Sequence, residues 1–150
     1  MHRRFALLVV GILLSTWMTT GCASYRRDAR HAREQAPAAG SVEGLWEGRW
    51  YRSDKPEHGG KMEMVLTRIG DQTYRASARS QWRRFFRSAY DSTLILTPTA
   101  PGVHLLQGSQ DLWLFGGYTV TGRVDQTRFD AVFQTAGHQG VMELKRPTAP

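Results

Sequence analysis

The chain has 150 residues, one cysteine and a formal net charge of +7, with 41% hydrophobic and 22% charged side chains. That balance suits a folded domain rather than a disordered one, and a single cysteine excludes both an internal disulfide and a thiolate metal cluster. The basic excess suits contact with anionic surfaces and does not by itself imply nucleic acid.

In chain order, Arg3 and Arg4 precede the apolar segment Phe5-Ala6-Leu7-Leu8-Val9-Val10-Gly11-Ile12-Leu13-Leu14, and the run Trp17-Met18-Thr19-Thr20-Gly21-Cys22-Ala23-Ser24 follows. A basic start, a short apolar core and a small-residue exit form the layout of an export signal. The core falls short of the roughly 20 apolar residues that a helix needs to span a bilayer. Gly21 directly before Cys22 resembles the lipobox of bacterial lipoproteins, with Thr19 standing where that pattern prefers Leu. The resemblance implies a signal peptide over 1–21, a diacylglyceryl thioether on Cys22 and acylation of the new amino terminus. Ala23, rather than Asp, after the cysteine implies the outer membrane by the same resemblance. Two other readings stay open: cleavage by ordinary signal peptidase after Ala23, with Gly21 and Ala23 as the small pair, and an uncleaved anchor, which the short apolar length disfavours. Export directs the expected partners toward lipid head groups, lipopolysaccharide or acidic polysaccharide, and no nucleic-acid partner is expected.

Residues 22–41 are polar and rich in Ala and Arg, and they end in Pro37 and Gly40. They read as a flexible tether that lets a domain stand off the membrane. Ala, Arg and Glu permit a short helix from Tyr25 to Gln35, with nothing expected on it to drive packing.

The domain over 42–150 is a series of short strand-like runs broken by turn residues: Leu45–Tyr51, Lys61–Ile69, Thr73–Gln81, Phe86–Leu96, Val103–Gly108, Leu112–Gly122, Arg128–Thr135 and Gly140–Lys145. Tyr74, Ala76 and Ala78 alternate with Arg75, Ser77 and Arg79, and Phe129, Ala131 and Phe133 alternate with Arg128, Asp130 and Gln134. A period of two with one polar face is the pattern of an antiparallel sheet with one wet side. Eight such strands at hairpin spacing predict an all-β fold, an up-and-down barrel or a strongly curled sheet. An eight-stranded barrel has an interior filled by side chains or just able to hold one small ligand.

In Gly44-Leu45-Trp46-Glu47-Gly48-Arg49-Trp50, the residues Trp46, Gly48 and Trp50 share one face, and Gly48 leaves room between two indoles for a neighbouring side chain or backbone. The Gly-x-Trp resembles the first strand of lipocalins and avidin-like barrels, and the resemblance implies a Trp that closes the barrel floor. The arginine that this family carries near the end of its last strands finds no match by sequence. Gly116-Gly117-Tyr118 and Gly140-Val141-Met142-Glu143-Leu144 also resemble a group of uncharacterised exported proteins, which implies no activity. An apolar ligand inside the barrel would meet Trp46, Trp50, Tyr74 and Phe129; the alternative use of the Trp pair is a structural plug.

The segment Gln81-Trp82-Arg83-Arg84-Phe85-Phe86-Arg87, with Arg79 just before it, concentrates arginines and aromatic rings. Guanidinium forks bind phosphate or carboxylate, and rings beside them sit in a lipid interface or stack on a sugar. Arg79, Trp82, Arg83, Arg84 and Arg87 are therefore candidates for contact with an anionic polymer, lipid or partner protein. The alternative is a strand junction whose rings enter the core while the arginines reach back to water.

No catalytic motif is present: Gly-x-Ser-x-Gly, a phosphate-cradling glycine loop and His-Glu-x-x-His are all missing. His58, His104 and His138 lack a second ligand at metal spacing, and Asp91, Asp111 and Asp130 have no sequence relation that joins them. No cofactor, metal or catalytic residue is expected. The reading is an envelope lipoprotein whose barrel binds a small apolar or amphipathic molecule or serves as a structural module, or else an interaction protein working through the Arg79–Arg87 segment.

Overall fold

The computed structural model describes residues 19–35, 37–83, 86–112 and 116–147, with side chains described from Ser24 onward and not at Leu112. Among the described residues one helix, α1 (Thr19–Glu34), precedes eight strands: β1 (Gly44–Arg52), β2 (Gly59–Arg68), β3 (Thr73–Trp82), β4 (Phe86–Ala100), β5 (Val103–Leu112), β6 (Gly116–Val124), β7 (Arg128–Gln134) and β8 (Gln139–Lys145). Each strand pairs antiparallel with the next, and β8 returns to β1, which closes the barrel. Of the two expected forms, the structure takes the closed one. Closure leaves no strand edge to pair with another chain.

Alternation places every second side chain inside. Trp46, Met64, Ala78 and Tyr90 follow one another across β1 to β4 in one inward row. Phe129, Ala131 and Phe133 fill the bore from β7. At Gly48 an added Cβ would lie 2.0 Å from the Glu143 carbonyl, so the absent side chain lets β8 approach β1 closely. Its neighbour there is backbone.

Two strands run longer than the sequence suggests. β4 continues through Pro98 to Ala100, with a register shift there that absorbs a residue unable to donate to the ladder. β5 continues through Ser109-Gln110-Asp111, expected as a turn, to Leu112, expected as the first residue of the next strand, which begins at Gly116 instead. Ser109, Gln110 and Asp111 pair with Thr119, Tyr118 and Gly117, and the polar Ser109 and Asp111 occupy outward positions where polarity costs nothing.

The larger correction concerns α1. Tyr25, Ala29 and Ala32 make an apolar stripe at helical spacing, and it covers Leu45 and Val65 on the outer wall. The helix passes over β1 to β4. The Asp28 carboxylate accepts from Arg75 Nη2 at 2.9 Å and from Ser77 Oγ at 3.3 Å, and Ser77, only 1% exposed, also bonds Asp91. The Tyr25 hydroxyl donates to Glu63, and Arg33 lies 3.8 Å from Glu47. The segment thus carries a packing face after all. Its two alanines escape a hydropathy reading because they are small, yet small residues let a helix lie close to a sheet.

Candidate functional site

The hairpin turns divide the barrel into two ends. The β2–β3, β4–β5 and β6–β7 turns lie at the end where the chain enters β1; the β1–β2 and β7–β8 turns, the end of β3, the start of β4, the end of β5 and the start of β6 lie at the opposite, open end.

The floor of the barrel is built around Trp46, which is fully buried. Its Nε1 donates to the Val42 carbonyl at 3.0 Å, and Phe129 packs at a centroid distance of 6.1 Å. Arg146, immediately after β8, stacks its guanidinium 4.1 Å from the Trp46 ring centroid. It donates to the carbonyls of Ser41 (2.8 Å), Gln126 (3.3 Å) and Leu45 (3.4 Å). Burial pulls the guanidinium pKa below its ordinary value. Sequence reasoning found no arginine for this place, because Arg146 lies outside the alternating run of β8 and only the closed floor brings it to Trp46.

The upper bore holds a second plug. Trp50 meets Phe133 at 6.1 Å, Phe133 meets Tyr118 at 6.2 Å, and Tyr118 meets Tyr90 at 6.2 Å, a chain of four rings across the interior. At Gly140 an added Cβ would lie 2.3 Å from the Phe133 ring, so glycine there admits the plug. Burial pushes the Tyr90 hydroxyl up to about 12 and raises Tyr118 further. Trp50 Nε1 is buried with no hydrogen-bond partner among the described residues.

Of the expected ligand-contacting residues, Trp46 and Phe129 therefore meet at the floor. Tyr74, opposite Arg68 and Leu94, belongs to that same half, while Trp50 belongs to the upper plug. All four border one interior cluster, with Trp50 packed against it from the open-end side. A shallow, open cleft of about 510 Å³ lies outside the barrel between α1 and the wall, lined by Tyr25, Arg26, Arg30, Arg33, Glu63 and Arg79.

At the open end, Trp82 closes β3 and pairs with Phe86, the first residue of β4, with their rings 5.7 Å apart. Both positions alternate inward, but they stand above the plug and stay exposed, Trp82 by 39% and Phe86 by 63%. Arg83 stacks 5.0 Å over the Trp82 ring. It is the one non-glycine residue with positive φ (51°) among those described. That conformation costs an L-residue roughly 1–2 kcal/mol, and hairpin tips ordinarily give it to Gly or Asn. Neither Arg83 nor Arg87 makes an ion pair among the described residues. Arg79 shares the outer face with Arg87 but is engaged there, 3.9 Å from Glu63 and 5.6 Å from the Tyr25 ring centroid. Arg84 lies outside the described residues, as do residues 1–18 and the Cys22 side chain; the Cys22 backbone is part of α1.

The remaining polar candidates do not converge. Asp91, Asp111 and Asp130 project outward from β4, β5 and β7. Among the described residues no three His, Cys, Asp or Glu lie close enough to hold a metal ion, and no helix is long and apolar enough to cross a membrane. Compared with protein-family models, with curated proteins and with solved structures, the chain matches none.

Proposed function

We propose that the chain is an envelope lipoprotein held by an acylated Cys22, and that its barrel is a filled scaffold presenting the β3–β4 hairpin tip to an anionic envelope component. The observation that supports this most is the tip itself: two exposed rings, a guanidinium stacked on one of them and held in a strained backbone, and a second guanidinium, Arg87, with no ion pair among the described residues. The two aromatic plugs leave the interior to side chains, which suits a scaffold.

The test uses the acyl-free Cys22→Ser protein with anionic vesicles and with lipopolysaccharide. Changing Arg83, Arg84 and Arg87 to Ser weakens binding, and wild-type binding falls with salt because exposed charges are screened over about 8 Å at physiological ionic strength. Arg83→Gly is the sharper variant: relief of the left-handed arginine raises stability by roughly 1 kcal/mol while binding falls. Binding that ignores both salt and the triple change refutes the reading. Intact mass of the membrane-extracted protein tests the anchor, which is rejected by a mature chain that begins elsewhere than Cys22 or lacks acyl mass.

A second reading rests on the Trp50 Nε1–H, which has no hydrogen-bond partner among the described residues. A small apolar molecule with one hydrogen-bond acceptor would satisfy it by displacing part of the upper ring chain. Saturable uptake of an apolar fluorescent probe, abolished by Trp50→Phe, supports that reading.

A further inference from the structure

The arginines of the hairpin tip are continuous with those of the α1 cleft. On the outer face of β3 and β4, Arg79 pairs with Ala89 and Gln81 with Arg87, so Arg79 and Arg87 are diagonal neighbours in the ladder, about 7–8 Å apart. Arg79 also lines the cleft, where Arg26, Arg30 and Arg33 of α1 stand with Glu34, and Glu63 comes from β2. Positions 26, 30 and 33 are spaced i, i+4 and i+7, which puts them on one face of the helix. Four guanidinium groups against two carboxylates leave the cleft lining at +2.

The acids there do not neutralise the helix. Glu63 is already engaged: it accepts from the Tyr25 hydroxyl and lies 3.9 Å from Arg79 and 4.0 Å from Arg33. Arg26 and Arg30 are exposed and make no ion pair among the described residues, not even with Glu34, one turn beyond Arg30. Like charges four residues apart weaken a helix, and an anion laid across them relieves that repulsion.

The shape of this basic path selects its occupant. From Trp82 to Arg79 it follows about 10 Å of strand, and from Arg26 to Arg33 about 10 Å of helix. The helix meets Glu47 on β1 and Glu63 on β2 through Arg33, and Arg75 on β3 through Asp28, so it lies across the strands. The two legs therefore run in different directions on a curved wall, and the second lies in a recess beside the helix. A planar bilayer meets one leg at a time, whereas a linear polymer bends along both. The cleft is shallow and open, which admits a hydrated chain. Guanidinium forks bind carboxylate or phosphate, and the exposed Trp82 and Phe86 rings offer apolar faces to a sugar.

We infer that the anionic component met by the tip is a linear acidic polysaccharide, which runs from Trp82, Arg83 and Arg87 past Arg79 into the α1 cleft. This rests on the tip reading above and specifies its partner.

The experiment uses the acyl-free Cys22→Ser protein and oligogalacturonates of graded length, with binding measured by calorimetry at two salt concentrations. Fragments that span both legs are expected to bind at least about tenfold more tightly than fragments that fill one, because the second leg binds at the effective concentration set by the first. Arg26→Ser with Arg30→Ser is expected to remove most of that gain and to flatten the salt dependence, with phosphatidylglycerol-vesicle binding and the urea midpoint unchanged. Arg123→Ser with Arg128→Ser takes the same charge from β6 and β7, away from α1, and is expected to leave the gain intact. Absence of a length gain, a cleft variant that binds like wild type, or a control variant that loses as much, overturns the path. Equal loss of vesicle and polymer binding in the cleft variant assigns the cleft to a membrane surface and overturns the polysaccharide, as does tighter binding of an oligonucleotide of matched charge. The triple change at Arg83, Arg84 and Arg87 separates the two levels. If it leaves vesicle and polymer binding intact, the tip reading itself fails; if it weakens them while the cleft variant is inert, only the path fails.

Discussion

Removing the guanidinium of Arg146 should be the most damaging single change among the chain's arginines. The group stacks on a fully buried indole and donates to three backbone carbonyls, of which only the Ser41 contact, at 2.8 Å, is short. A partly desolvated cation over Trp contributes about 1–2 kcal/mol, and a hydrogen bond from a charged donor about 1.5–3 kcal/mol. The residue is partly buried and the terms share one group, so they do not add fully; about 2–3 kcal/mol is expected for Arg146→Met, which keeps the apolar stem. The assay is urea unfolding of the acyl-free protein followed by tryptophan fluorescence. With a slope of about 1–3 kcal/mol per molar, the midpoint falls by roughly 1–2 M. Arg146→Lys should lie between, since an ammonium keeps the charge over the ring without the fork that reaches separate carbonyls. A loss below about 0.5 kcal/mol in the methionine variant, or a lysine variant no better than methionine, refutes the floor latch.

The β6–β7 turn supplies a pH-dependent term. Asp125 accepts from the Thr127 amide (2.7 Å), the Thr127 hydroxyl (2.9 Å) and the Arg128 amide (2.9 Å), which hold its carboxyl below the usual range. A depressed folded-state pKa means stability that is present above the unfolded value of about 4 and lost as pH falls through the folded one. Asp125→Ala should therefore cost about 1 kcal/mol at neutral pH, converging with wild type in acid; a difference unchanged at pH 2 to 3 rejects that account. The upper plug is checked by phenolate absorbance: Tyr90 and Tyr118 should stay protonated at pH 11 while the barrel remains folded, because burial raises both. The stability tied to them is complete below the unfolded pKa of about 10 and is lost as pH rises through their folded values. Ionisation of all five tyrosines at pH 11 with an unchanged β spectrum would contradict the ring chain.

The candidate tip was legible in part. Trp82, Arg83 and Arg87 stand out by composition alone, since rings and guanidinium groups crowd between two alternating runs. Arg79 belongs to the same crowd in sequence and shares the outer face with Arg87, but β2 and the docked helix engage its guanidinium through Glu63 and Tyr25. Trp46 and Trp50 are indistinguishable by period, both inward, yet one lies in the floor with an arginine and a carbonyl for partners while the other tops the bore with an N–H unpaired among the described residues.

What the sequence by itself determined is the local part of the fold: eight strands, their inward and outward faces, and the turns between most of them. Those features depend on side-chain period and on the dihedral freedom of turn residues, both of which act over a few positions. Closure of β8 on β1, the seat of Arg146 under Trp46, the ring chain across the bore and the docking of α1 were decided by tertiary structure. Each joins residues far apart in the chain, as Arg146 is from Trp46 and Asp28 from Arg75, and such contacts form only when the whole barrel sets their distance. Small side chains such as Ala29 and Ala32 carry no hydropathy signal of their own, and their value to the helix comes from the wall that they fit.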